Sequence, residues 1–382
     1  MIDFINPNDT AACREYEAFV QSHPNGSFMQ SLQWAEVKSN WKHEALVVRD
    51  INGQITGSVL MLIQPVPYTK KKLLYAPRGP VCHYDDTATL QEILLGIEIT
   101  GKRCNACLFR ADPDIAAENE SDRDSLRKLG FRHKRNPREF TTIQPRNSYV
   151  LSLTGKSKED VFKAFHQKWR YNIRLSKRKG VVCTAHGTEA LDAFYPLMRE
   201  TGRRDGFQIR SRAYFHKLLT AFGDDARLYL CCYNGVPLSG AVALRDGDTV
   251  HYLYGASTAR HRSLMPNYLM QWSMIQWALE SGCKSYDFMG IPHYDRPEHP
   301  NYGVYRFKKG FGGTVYATAG EFDRYLSPLW GRLTAACIRA KLYLSRLATE
   351  KKAGVSKPRT GKAAEKKARR PEYTQACGKP YS

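Results

Sequence analysis

No stretch of the 382 residues approaches the roughly 18 uninterrupted apolar positions that a membrane-spanning helix needs. Residues 1–10, MIDFINPNDT, lack both the basic start and the apolar core of a secretory signal, which predicts a cytoplasmic protein. The ten cysteines lack a framework. Cys231 and Cys232 are adjacent, Cys104 and Cys107 form an isolated C-x-x-C, and the rest are scattered. A disulfide scaffold is excluded, and a zinc site would need a second ligand pair at matching spacing, so reduced structural thiols and no metal are expected. No Ser/His/Asp or Cys/His constellation for covalent catalysis is evident. Acids are scarce as well: 37 Asp and Glu face 58 Lys and Arg, a formal charge of +21.

That positive charge is concentrated in two places. Residues 331–382 hold fourteen Lys/Arg against three Glu and end in a Lys/Ala/Gly/Ser-rich run, expected to be disordered beyond about Thr349. Such a tail is either solubilising or a non-specific arm for RNA or for an anionic membrane face. The second concentration, Lys163 to Gly180, has seven Lys/Arg and no acid. Ser157 with Asp160 three residues on has the form of a capping box, Phe162, Phe165 and Trp169 recur at helical spacing, and Gly180 suits a helix end. One or two basic amphipathic helices follow. A solvated helix face ordinarily mixes both signs, so this one favours phosphate binding.

The chain also contains a repeat. Asn52-Gly53 and Asn234-Gly235 are N-G turn signals, each followed by an apolar strand; Leu73-Leu-Tyr-Ala76 matches Tyr252-Leu-Tyr-Gly255; Ala106–Arg110 matches Lys284–Phe288. The offsets are 182, 179 and 178 residues. Each half therefore runs as a helical start, an antiparallel meander, a long helix and another strand. In the second half the helix spans 265–281, with Tyr268, Leu269, Trp272, Ile275 and Ala278 on one face. This order predicts an α/β protein with two tandem domains of the acyl-CoA N-acyltransferase (GNAT-like) fold. In that fold a glycine-rich loop holds the coenzyme pyrophosphate on backbone amides. The corresponding segment here, Arg260 to Asn267, has no glycine, which points away from CoA as the donor.

Several further segments, in order and spacing, carry a resemblance. They are Gln30-Ser-Leu-Gln-Trp34 through Trp41, Tyr75-Ala-Pro-Arg78-Gly-Pro80, Arg110-Ala-Asp112-Pro113 and Ile143-Gln-Pro-Arg146. In the second half they are Arg170-Tyr-Asn-Ile-Arg174, Tyr254-Gly-Ala-Ser257, Trp277-Ala-Leu, Tyr286-Asp287-Phe-Met-Gly290, Gly303 to Phe311 and Gly320-Glu-Phe-Asp323. Over residues 1 to 330 the chain resembles the Fem family of aminoacyl-tRNA-dependent transferases, which add amino acids to the stem peptide of peptidoglycan precursors. The resemblance implies a first domain of 1–146 plus 317–347, a second of 147–316, and 348–382 as a tail. It implies no cofactor. The family's coiled-coil arm has no room between Arg199 and Leu230.

The implied reaction is attack by a primary amine on the ester joining an amino acid to the tRNA 3′ end. The ester is already activated, so the protein must position the amine, unburden it of its proton and stabilise the oxyanion. Deprotonating a lysine amine at neutral pH costs roughly 4–5 kcal/mol. The resemblance places the oxyanion role on Phe307 and Lys308, the latter read as a strand-end lysine with Lys309 as its neighbour. It places precursor contacts on Lys38 and Arg210, with Tyr214, Tyr254 and Arg78 beside them, cations suited to diphosphate and carboxylate. Asp112 is the carboxylate expected to orient the acceptor amine, with a turn or N-cap aspartate beside Pro113 as the alternative. Cys107 stands where the family has an aromatic residue. Lys168, Arg170, Arg174, Lys177, Arg178 and Lys179 are the candidates for the tRNA backbone. Trp34, Trp41 and Trp277 are expected in the core. The precursor is lipid II or its nucleotide-linked pentapeptide relative, and peripheral contact with the inner membrane face is a further expectation. An acyl-CoA N-acyltransferase of the same fold and a non-catalytic RNA-binding protein are the alternatives.

Overall fold

The computed structural model describes residues 1–134, 142–299 and 301–352. The disorder expected of the basic tail concerns residues that lie, from 353 on, outside the described residues. The first half contributes strands β1 (Ile2–Phe4), β2 (Lys42–Arg49), β3 (Ile55–Pro65), β4 (Lys72–Arg78), β5 (Val81–Cys82), β6 (Ala106–Pro113) and β7 (Arg132–His133). The second contributes β8 (Asn147–Ser152), β9 (Val182–His186), β10 (Ala226–Tyr233), β11 (Val236–Asp246), β12 (Thr249–Ser257), β13 (Ser285–Gly290), β14 (Thr314–Ala317) and β15 (Phe322–Tyr325). They form two mixed sheets, ordered β1-β2-β3-β4-β6-β15-β7 and β14-β8-β13-β12-β11-β10-β9, with β5 paired to β3.

The repeat in the sequence is a repeat in the sheets. Asn52-Gly53 turns β2 into β3 and Asn234-Gly235 turns β10 into β11, with φ of 79° at Gly53 and 48° at Asn234. In each half the meander is followed by a long helix and a strand that returns parallel, β6 beside β4 and β13 beside β12. The remaining slot is filled differently. In the second sheet β8 takes it, whereas in the first it is taken by β15 from the far end of the chain.

The parallel pairs also differ. β4 and β6 stay paired from Lys72↔Ala106 to Arg78↔Pro113, with one bulge between Lys72 and Leu73. β12 and β13 pair only at Thr249↔Ser285, Val250↔Tyr286 and His251↔Asp287, then part. Among the described residues it is the central parallel pair of the second sheet that separates, and a cavity lies beside the freed end of β12.

Helix Thr87–Cys104 is capped by Asp86, ends at Asn105 in the left-handed region, and buries Leu90, Ile93 and Ile97 on the first sheet. Helix Pro266–Glu280 buries more than the one face its periodicity predicts. It also buries Met270, Gln271, Met274 and Trp277, because the basic helix Gln167–Arg178 covers its outer side. Trp34 and Trp277 are core residues as expected, and Trp41 is half-buried. Segment Phe28–Val37 of the first half packs among the helices of the second, beside Phe194, Phe215 and Leu219. Between Arg199 and Leu230 stand the end of helix Leu191–Asp205, helix Arg212–Phe222 and the start of β10, with no coiled-coil arm. Among the described residues no helix is long and apolar enough to cross a membrane. Cys107 is fully buried, its Sγ 3.3 Å from Thr334 Oγ1, as befits a structural thiol.

Candidate functional site

The cavity of about 1290 Å3 lies where β12 and β13 part. Its walls are the last turn of helix Leu191–Asp205, the end of β12, the first turn of helix Pro266–Glu280 and helix Tyr302–Lys309. Arg203, Arg204 and Arg262 line it against the single carboxylate of Asp205, so it favours anions.

Lys308 lines this cavity from the last turn of a helix, not from a strand end. The aromatic spacing is helical: Tyr302 meets Tyr305 and Phe307 meets Phe311, contacts at i,i+3 and i,i+4. Lys308 is 6% exposed, and its ammonium donates to three consecutive carbonyls of β13: Phe288 O at 2.6 Å, Met289 O at 3.2 Å and Gly290 O at 2.7 Å. Those carbonyls converge because Met289 sits at φ 60° and its N–H donates to Asp287 Oδ1. Burial pulls the Lys308 pKa down to about 8, while the nearby Asp287 carboxylate opposes the fall. Phe307 packs on Tyr268, and its carbonyl accepts from Trp169 Nε1 at 2.9 Å, tying the basic helix to the Lys308 helix. Gly310 is required at that junction: a Cβ there would lie 2.1 Å from the Trp169 ring.

The structure brings Lys38, Arg210, Tyr214 and Tyr254 together across the two halves. Lys38 follows helix Leu32–Val37, and its Nζ donates to Tyr214 Oη at 3.2 Å while lying over the rings of Trp34 (4.4 Å) and Tyr214 (4.9 Å). Tyr214 and Tyr254 share a 2.9 Å hydroxyl contact, and the Arg210 guanidinium lies over the Tyr214 ring. Burial, helped by the Arg210 charge, lowers the Lys38 pKa to about 7. An anionic ligand prefers the charged lysine. Affinity for an anionic ligand at this cluster is therefore expected to fall as pH rises from 6.5 to 8.5, up to tenfold per unit, and Lys38→Met should bind weakly with no such slope. Titration calorimetry across that range checks it.

Asp112 is neither a cap nor a turn residue. It lies on β6, 2% exposed, accepting from Tyr75 Oη at 3.0 Å and from Arg78 N at 2.9 Å. Burial raises its pKa to about 6 despite the Arg78 charge. Arg78, at φ 54°, is held by that carboxylate and donates to Pro145 O at 3.1 Å, on the segment that leads into β8.

The basic stretch forms two helices, Lys158–Ala164 with the Ser157–Asp160 capping box in place, and Gln167–Arg178. Lys168, Arg174, Lys177, Arg178 and Lys179 are exposed and Arg170 half-buried. Asn172, Ile173 and Ser176 form the buried side, so the charge is displayed outward.

One pair of side chains escapes a reading of the sequence alone. His251 and Asp287 occupy the last register position before β12 and β13 part, with His251 Nδ1 3.5 Å from Asp287 Oδ2. Asp287 lies within one of the motifs that carry the resemblance, but nothing local in the sequence singles out His251.

Comparison with known proteins agrees with this architecture. The FemAB family profile matches residues 12–235 and 233–337. The lipid II:glycine glycyltransferase of Staphylococcus haemolyticus is 29% identical, over 87% of this chain and 97% of its own. That of Staphylococcus aureus is 28% identical, over 87% and 98%. The crystal structure of FemX superposes with a TM-score of 0.80 at 26% identity, covering 87% of this chain and all of that one. A tandem GNAT protein from the clavulanic acid pathway, 10% identical with a TM-score of 0.53 over 86% and 99%, shares the fold. With a family profile spanning both halves and a structural relative matched along its whole length, the chain belongs to the FemAB family.

Proposed function

We propose that the protein transfers an amino acid from aminoacyl-tRNA to the side-chain amine in the stem peptide of a peptidoglycan precursor. The observation that carries this reading is the buried Lys308 ammonium in the wall of an arginine-lined cavity, where β12 and β13 part. The likeness to lipid II:glycine glycyltransferases supports the acceptor class.

In this account the charged tRNA end enters the cavity, with the exposed cations of helix Gln167–Arg178 on its backbone. The precursor anions lie on Lys38 and Arg210, in the cleft between the halves. As the amine attacks, the ester carbonyl becomes an oxyanion, and the Lys308 ammonium stabilises it by exchanging its longest bond, that to Met289 O, for the new charge. Phe307 fixes the helix that presents Lys308, and Asp112 sets the Arg78 loop. Acyl-CoA is disfavoured as donor. Residues 260–267 have no glycine, Met265 takes φ 55°, and Pro266 removes an amide from the helix start where a pyrophosphate would bind.

Charged tRNA with a muramyl pentapeptide precursor is expected to give a precursor heavier by one aminoacyl residue by mass spectrometry; acyl-CoA in its place should give none. Product from acyl-CoA alone would overturn the reading. Replacing Arg174, Lys177 and Arg178 together by alanine is expected to weaken tRNA binding. It should also flatten the dependence of log K on log salt by about one unit for each phosphate that no longer meets a cation, leaving turnover at saturating tRNA unchanged. Filter binding between 50 and 300 mM salt checks this.

A further inference from the structure

We infer that His251, oriented by Asp287, is the group that takes the proton from the attacking amine. The inference rests on the proposed transfer reaction and adds a residue that the Lys308, Lys38 and Asp112 roles leave out. The need for such a group is chemical. A nitrogen that has attacked an ester carries a proton it must lose, and a positioned base speeds such a step by about 10²–10⁴-fold.

Three observations place His251 there. First, it is paired with Asp287 where β12 and β13 part, and the three residues after Asp287 supply the carbonyls that hold Lys308. Asp287 is thus the neighbour the two share: its carboxylate faces His251, and its charge acts on Lys308. Second, a run of rings leads from it to the proposed acceptor cluster: His251 lies 5.2 Å from Phe28, Phe28 lies 5.2 Å edge-on to Trp34, and Trp34 lies beneath Lys38. The acceptor site and the histidine thus share one face of the second sheet. Third, both side chains are reachable from solvent, His251 17% and Asp287 15% exposed. Asp112, the other carboxylate in reach, is 2% exposed with both oxygens already accepting.

In the proposed step Nδ1, 3.5 Å from Asp287 Oδ2, keeps the ring proton and Nε2 is the acceptor. Three carboxylates face the ring: Asp287 on β13, Asp246 on β11, which also accepts from Phe28 N at 2.7 Å, and Asp114 just past β6. The Arg78 charge also acts on Asp287. Burial opposes protonation of His251, and the carboxylates outweigh it and raise its pKa. In the step itself, the amine nitrogen bonds to the ester carbonyl carbon and its surplus proton passes to Nε2. The carbon–oxygen bond to the ribose then breaks, and the same proton goes to the departing ribose oxygen. No other reactant is needed.

The test is His251→Gln in the full-length protein, with wild type assayed alongside from pH 5.5 to 9. Turnover is expected to fall about a hundred- to a thousandfold with the precursor KM within threefold of wild type. The acceptor amine's own ionisation is common to both proteins; beyond it, wild-type kcat/KM should show an acid limb of unit slope from His251, and the variant should lose that limb. In His251→Ala, added imidazole should restore part of the rate. A variant that keeps wild-type turnover overturns the inference, and so does one that is slow but keeps the acid limb, because the residue would then be structural. A silent wild type overturns the transfer reaction and this inference with it, whereas an active wild type with an active variant removes His251 alone. Circular dichroism and precursor binding confirm that the variants are folded.

Discussion

Lys308→Met is expected to lower turnover by a hundredfold or more while leaving precursor affinity nearly unchanged. Methionine keeps an unbranched side chain, one heavy atom shorter, and removes the charge and all three donors. The loss of one preorganised oxyanion donor has a typical cost of 10²–10³ in kcat. Precursor contacts are assigned elsewhere, to Lys38 and Arg210, so KM should hold while kcat and kcat/KM fall together. The substitution also leaves the carbonyls of Phe288, Met289 and Gly290 without the ammonium they share, at a cost of roughly 1–3 kcal/mol for a buried unsatisfied group. A thermal melt must therefore accompany the kinetics: a folded, binding-competent variant with abolished turnover is the expected result. Unchanged turnover would remove Lys308 from the chemistry.

The largest expected effect on stability comes from a different place. Arg110 on β6 is completely buried, and its guanidinium donates to Asp323 at 2.7 and 3.0 Å and lies 3.4 Å from Glu321, while Lys134 reaches both acids at 2.8 and 3.5 Å. Asp323 belongs to β15, the strand the end of the chain returns to the first sheet. Asp323→Ala is expected to destabilise that half by about 3–5 kcal/mol, because it leaves a buried cation short of its bidentate partner. The double variant Arg110→Met/Asp323→Leu should recover most of the loss, since Lys134 and Glu321 remain paired and apolar side chains of similar volume fill the space. Urea unfolding midpoints followed by tryptophan fluorescence distinguish the two. Equal loss in both variants would mean that β15 depends on packing more than on this ion cluster.

Much of the architecture is legible locally because it is dictated locally. The Asn-Gly turns require backbone conformations that few residue pairs accept, so both hairpins and the duplication are visible without coordinates. The Ser157–Asp160 capping box likewise rests on four adjacent residues. Lys38, Arg210, Tyr214 and Tyr254 are joined in the sequence only through the family resemblance, since no rule of spacing links positions separated by up to 216 residues. What stays hidden depends on tertiary register. The helical setting of Lys308 follows from aromatic spacing that is present in the sequence, yet the same stretch also reads as a strand end. The burial of Asp112 depends on Tyr75 and Arg78 closing over it. The parting of β12 from β13 after three pairs creates the cavity and exposes His251, and it leaves no periodic trace in either strand.

The most direct test of transfer from an aminoacyl ester of tRNA is to incubate the protein with a muramyl pentapeptide precursor and tRNA charged with a labelled amino acid, with and without prior ribonuclease digestion of the tRNA. Label is expected in the precursor only with intact charged tRNA; label appearing after digestion would contradict transfer from the tRNA ester.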